Sequence, residues 1–215
     1  REALKQRPNS QVMVATKVGF TRQGPNQWIP LGSPAYLRQQ VELNLMTLGL
    51  DHIDLLQLHR IDPNYPLADQ IGELAKMQQE GKIRHIGLSQ VSVAQIQAAR
   101  KIAPIVSVQN RYNLVDRKDE AVLNYAEANH LAFIPWTPLD TGKLARGEQL
   151  QAIAKRYEAS PAQIALAWLL KRSDVILPIP GTSSTQHVVD NIAAQDIELS
   201  QADFDTLDQL GRQQQ

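Results

Sequence analysis

Two side chains that can act as an acid, a base or a fixed charge stand where short apolar runs end. Lys17 follows "QVMVAT" (residues 11–16), and His59 follows "IDLLQL" (residues 53–58). If both runs are strands of one parallel sheet, their carboxyl ends meet at one edge, where barrel enzymes build their active sites. Each residue alone also fits a plain structural role, as a solvated lysine or a hydrogen-bonded histidine. The residues at the other strand ends therefore help to distinguish a catalytic role from a structural one.

Polar or aromatic side chains follow the other predicted strands as well. These residues are Ser89, Gln90, Gln109, Asn110, Trp136 and the turn "PGTSS" at 180–184. Because this turn enters a predicted helix, its backbone N–H groups, its hydroxyls and the positive end of the helix dipole suit a phosphate. Polar groups at the same end of every strand favour a functional edge over unrelated structural roles.

The elements that would carry these residues alternate along the chain. Short apolar runs predict six strands, nearly all of them followed by a helical pattern, at 11–16, 53–58, 83–88, 104–109, 131–135 and 175–180. Such alternation predicts a parallel α/β sheet, and no Gly-x-Gly-x-x-Gly follows the first strand as a doubly wound nucleotide-binding sheet would require. We therefore expect a (β/α)8 barrel of one domain over residues 1–215. Six of its eight units lie in this chain, and the other two are expected before Arg1.

Composition narrows the function classes. The 22 basic and 22 acidic side chains cancel, which gives no electrostatic reason to expect nucleic acid or an anionic membrane surface as a partner. The absence of cysteine excludes disulfides and thiolate metal sites, and we expect no metal. No apolar stretch is long enough to span a bilayer and no signal peptide is visible, so we expect a cytoplasmic protein with a small-molecule partner.

Six motifs in order resemble those of the aldo-keto reductase superfamily, in its bacterial branch. They are "ATKVG", "LGLDHIDLLQLHRID", "EGKIRHIGLSQ", "SVQNRYNL", "PWTPL" and "IPGTSSTQHVVDN", and together they span essentially the whole chain. The resemblance implies an oxidoreductase that reduces aldehyde or ketone carbonyls of small molecules to alcohols. Pyridoxal or other small aldehydes are the implied substrates, and NADP(H), or alternatively NAD(H), is the implied cofactor.

The resemblance also implies roles for individual residues. Lys17 matches the lysine that lowers the pKa of a catalytic tyrosine, and His59 matches the histidine that orients the substrate carbonyl and supports proton transfer. The residues implied to bind the nicotinamide are Ser89, Gln90, Gln109 and the stacking Trp136. The residues implied to bind the pyrophosphate and the adenosine 2′-phosphate end are Thr137, Pro138, Leu139, Gly142, Leu144, Ile179, Gly181, Thr182, Ser183, Ser184, His187, Asp190 and Asn191. Trp28 is a candidate wall of the substrate pocket.

The chain departs from the family pattern in ways that affect these expectations. Many relatives carry a lysine and an arginine where Gly181 and His187 stand, which leaves the preference for NADP over NAD open. The family usually has asparagine at the position of Gln90. The catalytic tyrosine and its partner aspartate precede the lysine in the family, whereas all five tyrosines here follow Lys17. We therefore expect this chain alone to be inactive.

Two other functions remain open from the residues. Lys17 at a strand end could form a Schiff base, as in a barrel aldolase. A nucleotide-binding barrel without turnover could instead act as a sensor or regulatory subunit. The sequence makes no prediction of the oligomeric state.

Overall fold

The computed structural model describes residues 1–6, 11–139 and 148–212. The chain forms two compact units, Arg1–Val108 and Gln109–Gln215. No helix within the described ranges has the length and apolar character needed to cross a membrane.

The first unit alternates strands and helices around a parallel sheet. The elements are α1 (Glu2–Gln6), β1 (Ala15–Val18), β2 (Phe20–Gly24), β3 (Gln27–Pro30), α2 (Pro34–Leu48), β4 (Ile53–Leu58), α3 (Leu67–Gln79), β5 (Ile83–Ser89), α4 (Val93–Arg100) and β6 (Ile105–Gln109). The sheet has the strand order β1-β4-β5-β6, and β4 pairs in parallel with both β1 and β5. A separate antiparallel hairpin joins β2 to β3.

Helix α2 shows how the local sequence sets the limits of an element. Ser33 is its N-cap, with the hydroxyl accepting a hydrogen bond from the Tyr36 N–H at 3.4 Å, and Pro34 occupies the first turn. Gly49 ends the helix in a left-handed conformation, with φ of +69°. Both limits of this helix therefore follow from the local sequence.

The two faces of the first sheet differ in chemistry. Successive side chains of a strand point to opposite faces, and the register pairs Val18 with Leu58 and Leu58 with Leu88. One face therefore carries buried aliphatic side chains. The other face carries Lys17, Gln57 and Gly87, which pair in the same way. Polar groups thus line one face up to the carboxyl ends of the strands.

Gly87 marks a close approach on that polar face. A Cβ added at this position would lie 2.2 Å from Ser107 Oγ and 3.0 Å from Gln57 Cγ. Both distances are shorter than van der Waals contact, so no larger residue fits without movement of its neighbours.

The second unit is mainly helical. Its elements are α5 (Glu120–Ala128), β7 (Ala132–Phe133), α6 (Glu148–Arg156), α7 (Pro161–Arg172), α8 (Thr185–Ala193), a 3₁₀ turn (Ala194–Asp196) and α9 (Gln201–Arg212). Ser160 and Gln163 form a capping box at the start of α7.

Aromatic rings and a buried cation form the centre of the second unit. Tyr112 stacks on Trp168 at 6.2 Å and meets Phe133 edge-on at 5.7 Å. The guanidinium of Arg117 lies 3.9 Å from the Trp168 ring centroid and 2.9 Å from the carboxylate of Asp208. The core of this unit therefore includes a charge together with its partner.

Three predicted elements differ from the structure. The strand predicted at 175–180 is a single bridge between Phe133 and Ile176, because Pro178 and Pro180 have no N–H groups to continue a ladder. The first strand runs over 15–18 rather than 11–16, so Lys17 lies within β1 rather than after it. Residues 20–30, where no strand was predicted, form the β2–β3 hairpin.

Candidate active site

The parallel register brings the ends of three strands together. The N–H of His59 donates to the carbonyl of Val18 at 2.8 Å and so extends the β1–β4 ladder by one residue. Leu58 pairs with Leu88, so His59 and Ser89 follow on neighbouring strands. His59 and Ser89 lie two residues after Gln57 and Gly87, which pair in register with Lys17. Because side chains alternate between the faces of a strand, the side chains of Lys17, His59 and Ser89 belong to one face at one edge of the sheet.

His59 lies in an aromatic and cationic environment. Its ring meets Phe20 edge-on, with centroids 4.6 Å apart, and Trp28 at 6.4 Å. Burial, followed by the positive charges of Arg60 and Lys17, lowers the pKa of His59 to about 4. The imidazole is therefore neutral near pH 7, and one ring nitrogen carries a hydrogen that it can donate.

Lys17 is a half-buried cation without a described partner. None of the described residues forms an ion pair or a hydrogen bond with its ammonium group. Burial and then the charge of Arg60 lower its pKa from the ordinary lysine value. Such a group favours a nearby anion, or lowers the pKa of a nearby acid.

The β2–β3 hairpin supplies the aromatic wall. Phe20 opens β2 and Trp28 lies on β3, with ring centroids 5.7 Å apart. Trp28 is 49% exposed, and the guanidinium of Arg22 lies 3.5 Å from its ring centroid. The sequence prediction named Trp28 but missed Phe20, which contacts His59 more closely. The alternating "FTRQG" before Pro25-Asn26 was the available signal for a hairpin.

Backbone strain coincides with two of the predicted cofactor residues. Gln90 has φ of +53° and Thr137 has φ of +56°, the left-handed region that side chains other than glycine and asparagine rarely adopt. The buried Asn113 donates to the Thr137 carbonyl at 2.9 Å and accepts from the Asp116 N–H at 2.8 Å. Asn113 therefore helps to hold the Thr137 loop, a role that sequence reasoning did not assign to it.

In the second unit, Trp136 begins the loop that was predicted to contact a cofactor. Its N–H donates to the Asn110 carbonyl at 3.1 Å, and the guanidinium of Arg111 lies 5.5 Å from its ring centroid. Gln109 is buried, Pro138 is buried and Leu139 is partly exposed. Gly142 and Leu144 lie outside the described residues.

The serine-rich turn before α8 has the expected form of a helix cap. The Ser184 hydroxyl accepts from the His187 N–H at 3.4 Å, and the Thr182 hydroxyl accepts from the Ser184 N–H at 3.0 Å. Thr182 Oγ1 also lies 3.3 Å from His187 Nδ1. Ser183 is exposed, and a Cβ added at Gly181 would meet no atom within 4 Å. The turn is therefore accessible to a ligand at Gly181 and Ser183. Ile179, which precedes the turn, is exposed as well.

Two more predicted residues lie further along α8. The Asp190 carboxylate accepts from the side-chain amide of Gln186 at 2.9 Å. The backbone carbonyl of Asp190 accepts from the side-chain amide of Gln163 at 3.1 Å. Asn191 follows on the same helix and is partly exposed.

Three of the five tyrosine hydroxyls bond elsewhere. Tyr36 donates to the Phe20 carbonyl at 2.7 Å, Tyr112 to Glu120 at 2.6 Å and Tyr157 to Asp203 at 2.7 Å. Burial raises the pKa of Tyr36 and of Tyr112, the opposite of what a tyrosine acid beside a lysine requires. No described contact joins a tyrosine hydroxyl to Lys17 or His59.

Residues 1–212 match the family model described as the aldo/keto reductase family. The chain belongs to the aldo/keto reductase family. That membership confirms the predicted α/β barrel class and places the chain in a family of oxidoreductases.

Individual aldo/keto reductase relatives cover nearly all of the chain. An uncharacterized oxidoreductase of Schizosaccharomyces pombe is 51% identical over 213 residues, which is 99% of this chain and 69% of the relative. Pyridoxine 4-dehydrogenase of Escherichia coli is 41% identical over 206 residues, 93% of this chain and 72% of the relative. A crystal structure of an aldo/keto reductase from Klebsiella pneumoniae in complex with NADP and acetate has a TM-score of 0.82 at 27% identity, covering 97% of this chain and 73% of that one.

Proposed function

We propose that the protein reduces aldehyde or ketone carbonyls of small molecules with NADPH. The observation that carries this proposal is the neutral His59 beside an unpartnered Lys17, at the ends of β4 and β1. A neutral imidazole can donate a hydrogen bond to a carbonyl oxygen without attracting a competing anion, which is what carbonyl activation needs.

The chain supplies positioning and charge, while the nicotinamide, when bound, supplies the hydride. His59 donates to the substrate oxygen, and Phe20 and Trp28 exclude water from one side of it. Lys17 holds down the pKa of the acid that protonates this oxygen. No hydrogen bond among the described residues joins a tyrosine hydroxyl to Lys17, so we expect residues 1–215 alone to lack the acid and to be inactive.

The residues proposed to hold NADPH fit a dinucleotide in their chemistry. Amide and hydroxyl groups of Ser89, Gln90 and Gln109 suit a carboxamide, and the ring of Trp136 suits a flat heterocycle. The left-handed backbone at Gln90 and Thr137 supports a functional role, since strained residues concentrate at binding sites.

A different group of residues is proposed to hold the phosphates and the adenosine. Thr137, Pro138, Leu139, Gly142 and Leu144 would follow the pyrophosphate. The open turn formed by Ile179, Gly181, Thr182, Ser183, Ser184 and His187 offers hydroxyls and a helix N-terminus to the 2′-phosphate, with Asp190 and Asn191 near the adenine.

Small carbonyl compounds of the pyridoxal type are the proposed substrates. The 41% identity to pyridoxine 4-dehydrogenase and the aromatic wall of Phe20 and Trp28 both support a flat substrate. The two compact units are proposed to belong to a single barrel domain, as the family match over residues 1–212 favours.

The cofactor proposal is tested by titration of protein fluorescence with NADPH and with NADH. Ser183→Ala is expected to weaken NADPH binding by about 3- to 10-fold, the value of a neutral hydrogen bond, and to leave NADH binding unchanged. Ser92→Ala, which removes a helix cap far from this turn in sequence, is the matched control. Tighter binding of NADH than of NADPH by the unmodified protein would overturn the preference.

The reaction is tested by following NADPH absorbance with pyridoxal as substrate. The protein that includes whatever its gene encodes before Arg1 is expected to turn over, and residues 1–215 alone are expected to bind NADPH without turnover. Aldehyde reduction by residues 1–215 at an ordinary enzymatic rate would mean that another residue donates the proton. Binding without turnover in both proteins would favour a sensor.

A second candidate function is supported by the same lysine. Because burial lowers the pKa of Lys17, a larger fraction of its amine is uncharged and nucleophilic, as Schiff-base formation requires. Borohydride added with pyridoxal but without NADPH would fix a label on Lys17 if the protein were an aldolase. An unlabelled Lys17 that is nevertheless needed for NADPH-dependent turnover favours carbonyl reduction.

A further inference from the structure

Arg60 is a half-buried cation at the strand-end edge to which no role has been assigned. It follows His59 directly, and its positive charge lowers the pKa values of both His59 and Lys17 after the larger effect of burial. Its guanidinium therefore lies within electrostatic range of both proposed catalytic residues.

The hydrogen bonds of Arg60 use only one of its nitrogens. Nη1 donates to the carbonyl of His59 and to Ser89 Oγ, the latter at 3.2 Å. Nε and Nη2 make no hydrogen bond to a described residue, and neither is a buried atom. These two nitrogens form the edge of the guanidinium that binds two oxygens of a carboxylate or a phosphate side by side.

No carboxylate within residues 1–6, 11–139 and 148–212 forms an ion pair with Arg60. Asp62 is near in sequence, but its carboxylate accepts from the N–H groups of Gly32 and Asn64, each at 2.9 Å. Arg38 of helix α2 shows the usual alternative, because its guanidinium binds the carboxylates of Glu73 and Glu80. A half-buried guanidinium without such a partner is costly to the fold and favours an anionic ligand.

The aromatic wall relates Arg60 to the carbonyl site. The guanidinium of Arg60 lies 5.5 Å from the Phe20 ring centroid, and the ring of His59 lies 4.6 Å from the same centroid. One small molecule lying against Phe20 could therefore meet both groups.

We propose that Arg60 binds a carboxylate or phosphate group on the carbonyl compound whose oxygen contacts His59. This inference rests on the proposed carbonyl reduction and adds a preference to it: among pyridoxal-type and other small aldehydes or ketones, those that carry a carboxylate or a phosphate are reduced more efficiently than neutral ones. Such a substrate would also compensate the positive charges of Lys17 and Arg60, which the described residues leave unpaired.

The first test compares charged and neutral substrates of matched shape, using the full-length protein. The pairs are 4-carboxybenzaldehyde with benzaldehyde, and glyceraldehyde 3-phosphate with glyceraldehyde. The charged member of at least one pair is expected to have a kcat/KM about 10- to 100-fold higher, as a charge-assisted bidentate contact provides. The pair that shows the preference identifies the anion as a carboxylate or a phosphate.

Variants of Arg60 separate recognition from an effect on His59. Arg60→Gln is expected to remove the preference by raising KM for the charged substrate, so that its kcat/KM falls at least about 10-fold more than that of the neutral substrate. Arg60→Lys keeps the charge but not the fork, so it is expected to retain part of the preference. Arg84→Gln, which removes an exposed arginine paired with Asp54, is the matched control and should leave the preference intact. A loss that is equal for charged and neutral substrates would overturn the inference, because Arg60 would then act through His59.

Binding without chemistry keeps the inference distinct from the proposed reaction. In isothermal titration, the unmodified protein is expected to bind benzoate or inorganic phosphate at least about 10-fold more tightly than benzamide, and Arg60→Gln should abolish this difference. Discrimination in binding without turnover of any aldehyde would support the anion site and refute the proposed reduction. Turnover with no discrimination, in rate or in binding, would refute the anion site and leave the reduction standing.

Discussion

In the second unit the buried guanidinium of Arg117 lies 2.9 Å from the carboxylate of Asp208 and also donates to the carbonyl of Leu114. In the first unit the half-buried cations of Lys17 and Arg60 have no described carboxylate. A cation paired within the fold contributes to its stability, whereas an unpaired one costs stability and favours binding or catalysis. Pairing, more than burial, therefore separates structural from functional charge in this chain.

The largest effect should come from the unpaired lysine. Lys17→Met is expected to lower kcat of the full-length protein by about 10²- to 10⁴-fold, because the proton donor loses the charge that holds down its pKa. The free energy of unfolding, measured in urea, should change by less than about 1 kcal/mol, since the ammonium has no partner to lose. Lys76→Met, at an exposed lysine, is the control. Near-normal turnover in Lys17→Met would contradict the functional role of the unpaired lysine.

The paired arginine should behave in the opposite way. Arg117→Met is expected to lower the free energy of unfolding by about 3 to 5 kcal/mol, because it leaves Asp208 and Glu120 without their buried cation. Urea unfolding measures the loss, and Arg212→Met, which removes the exposed arginine bound to Asp208, should cost less than about 1 kcal/mol. Equal losses in the two variants would show that the buried ion pair stabilises the fold no more than the exposed one does.

The pH dependence of stability should reveal His59. Its pKa is about 4 in the folded chain, below the ordinary histidine value, so the unfolded state takes up the proton more readily. The contribution of His59 to stability is therefore complete above about pH 6.5 and is lost as the pH falls towards 4. After allowance for solvent screening, the loss should be about 1 to 2 kcal/mol. It is read as the difference in urea unfolding between pH 7 and pH 4.5, and His59→Gln should lack this part of it.

The smallest effect concerns backbone strain in the two units. Gln90→Asn should raise the free energy of unfolding by about 0.5 kcal/mol, because asparagine tolerates positive φ better than glutamine does. Glu158→Asn, at φ of +51° after α6, should give a similar gain. Of the two, only Gln90→Asn should also change NADPH affinity in fluorescence titration. A change of affinity in Glu158→Asn would contradict the assignment of strain at Gln90 to the site.

Much of the first sheet could be predicted from the sequence. The runs that became β4, β5 and β6 were predicted to within one residue at each end, and they end at or next to the residues that were expected to be functional. The strand expected at 175–180 looked similar, but its two prolines limit it to a single bridge. An apolar run predicts burial, and only its backbone donors decide whether it pairs as a strand.

The sequence predicted which residues belong to the candidate site, but it did not predict which contacts they make with one another. Lys17, His59 and Ser89 follow from strand-end positions and from the family pattern. Among the described residues, Arg60 lacks a carboxylate partner because the Asp62 carboxylate accepts from the Gly32 and Asn64 N–H groups instead. The approach of Phe20 to His59 depends on a hairpin whose sequence is short and mostly polar. These are tertiary properties, and single-sequence patterns carry little information about them.

The close approach at Gly87 limits how this sequence can change over generations. An alanine there would place its Cβ 2.2 Å from Ser107 Oγ, whereas the same alanine in a chain that already has glycine at position 107 would lose that clash. The two positions are therefore epistatic, and the order of substitutions matters. An alanine at residue 87 also needs room from Gln57, whose Cγ lies 3.0 Å from the added Cβ, so the polar face beside the site is expected to change by coupled steps rather than single ones.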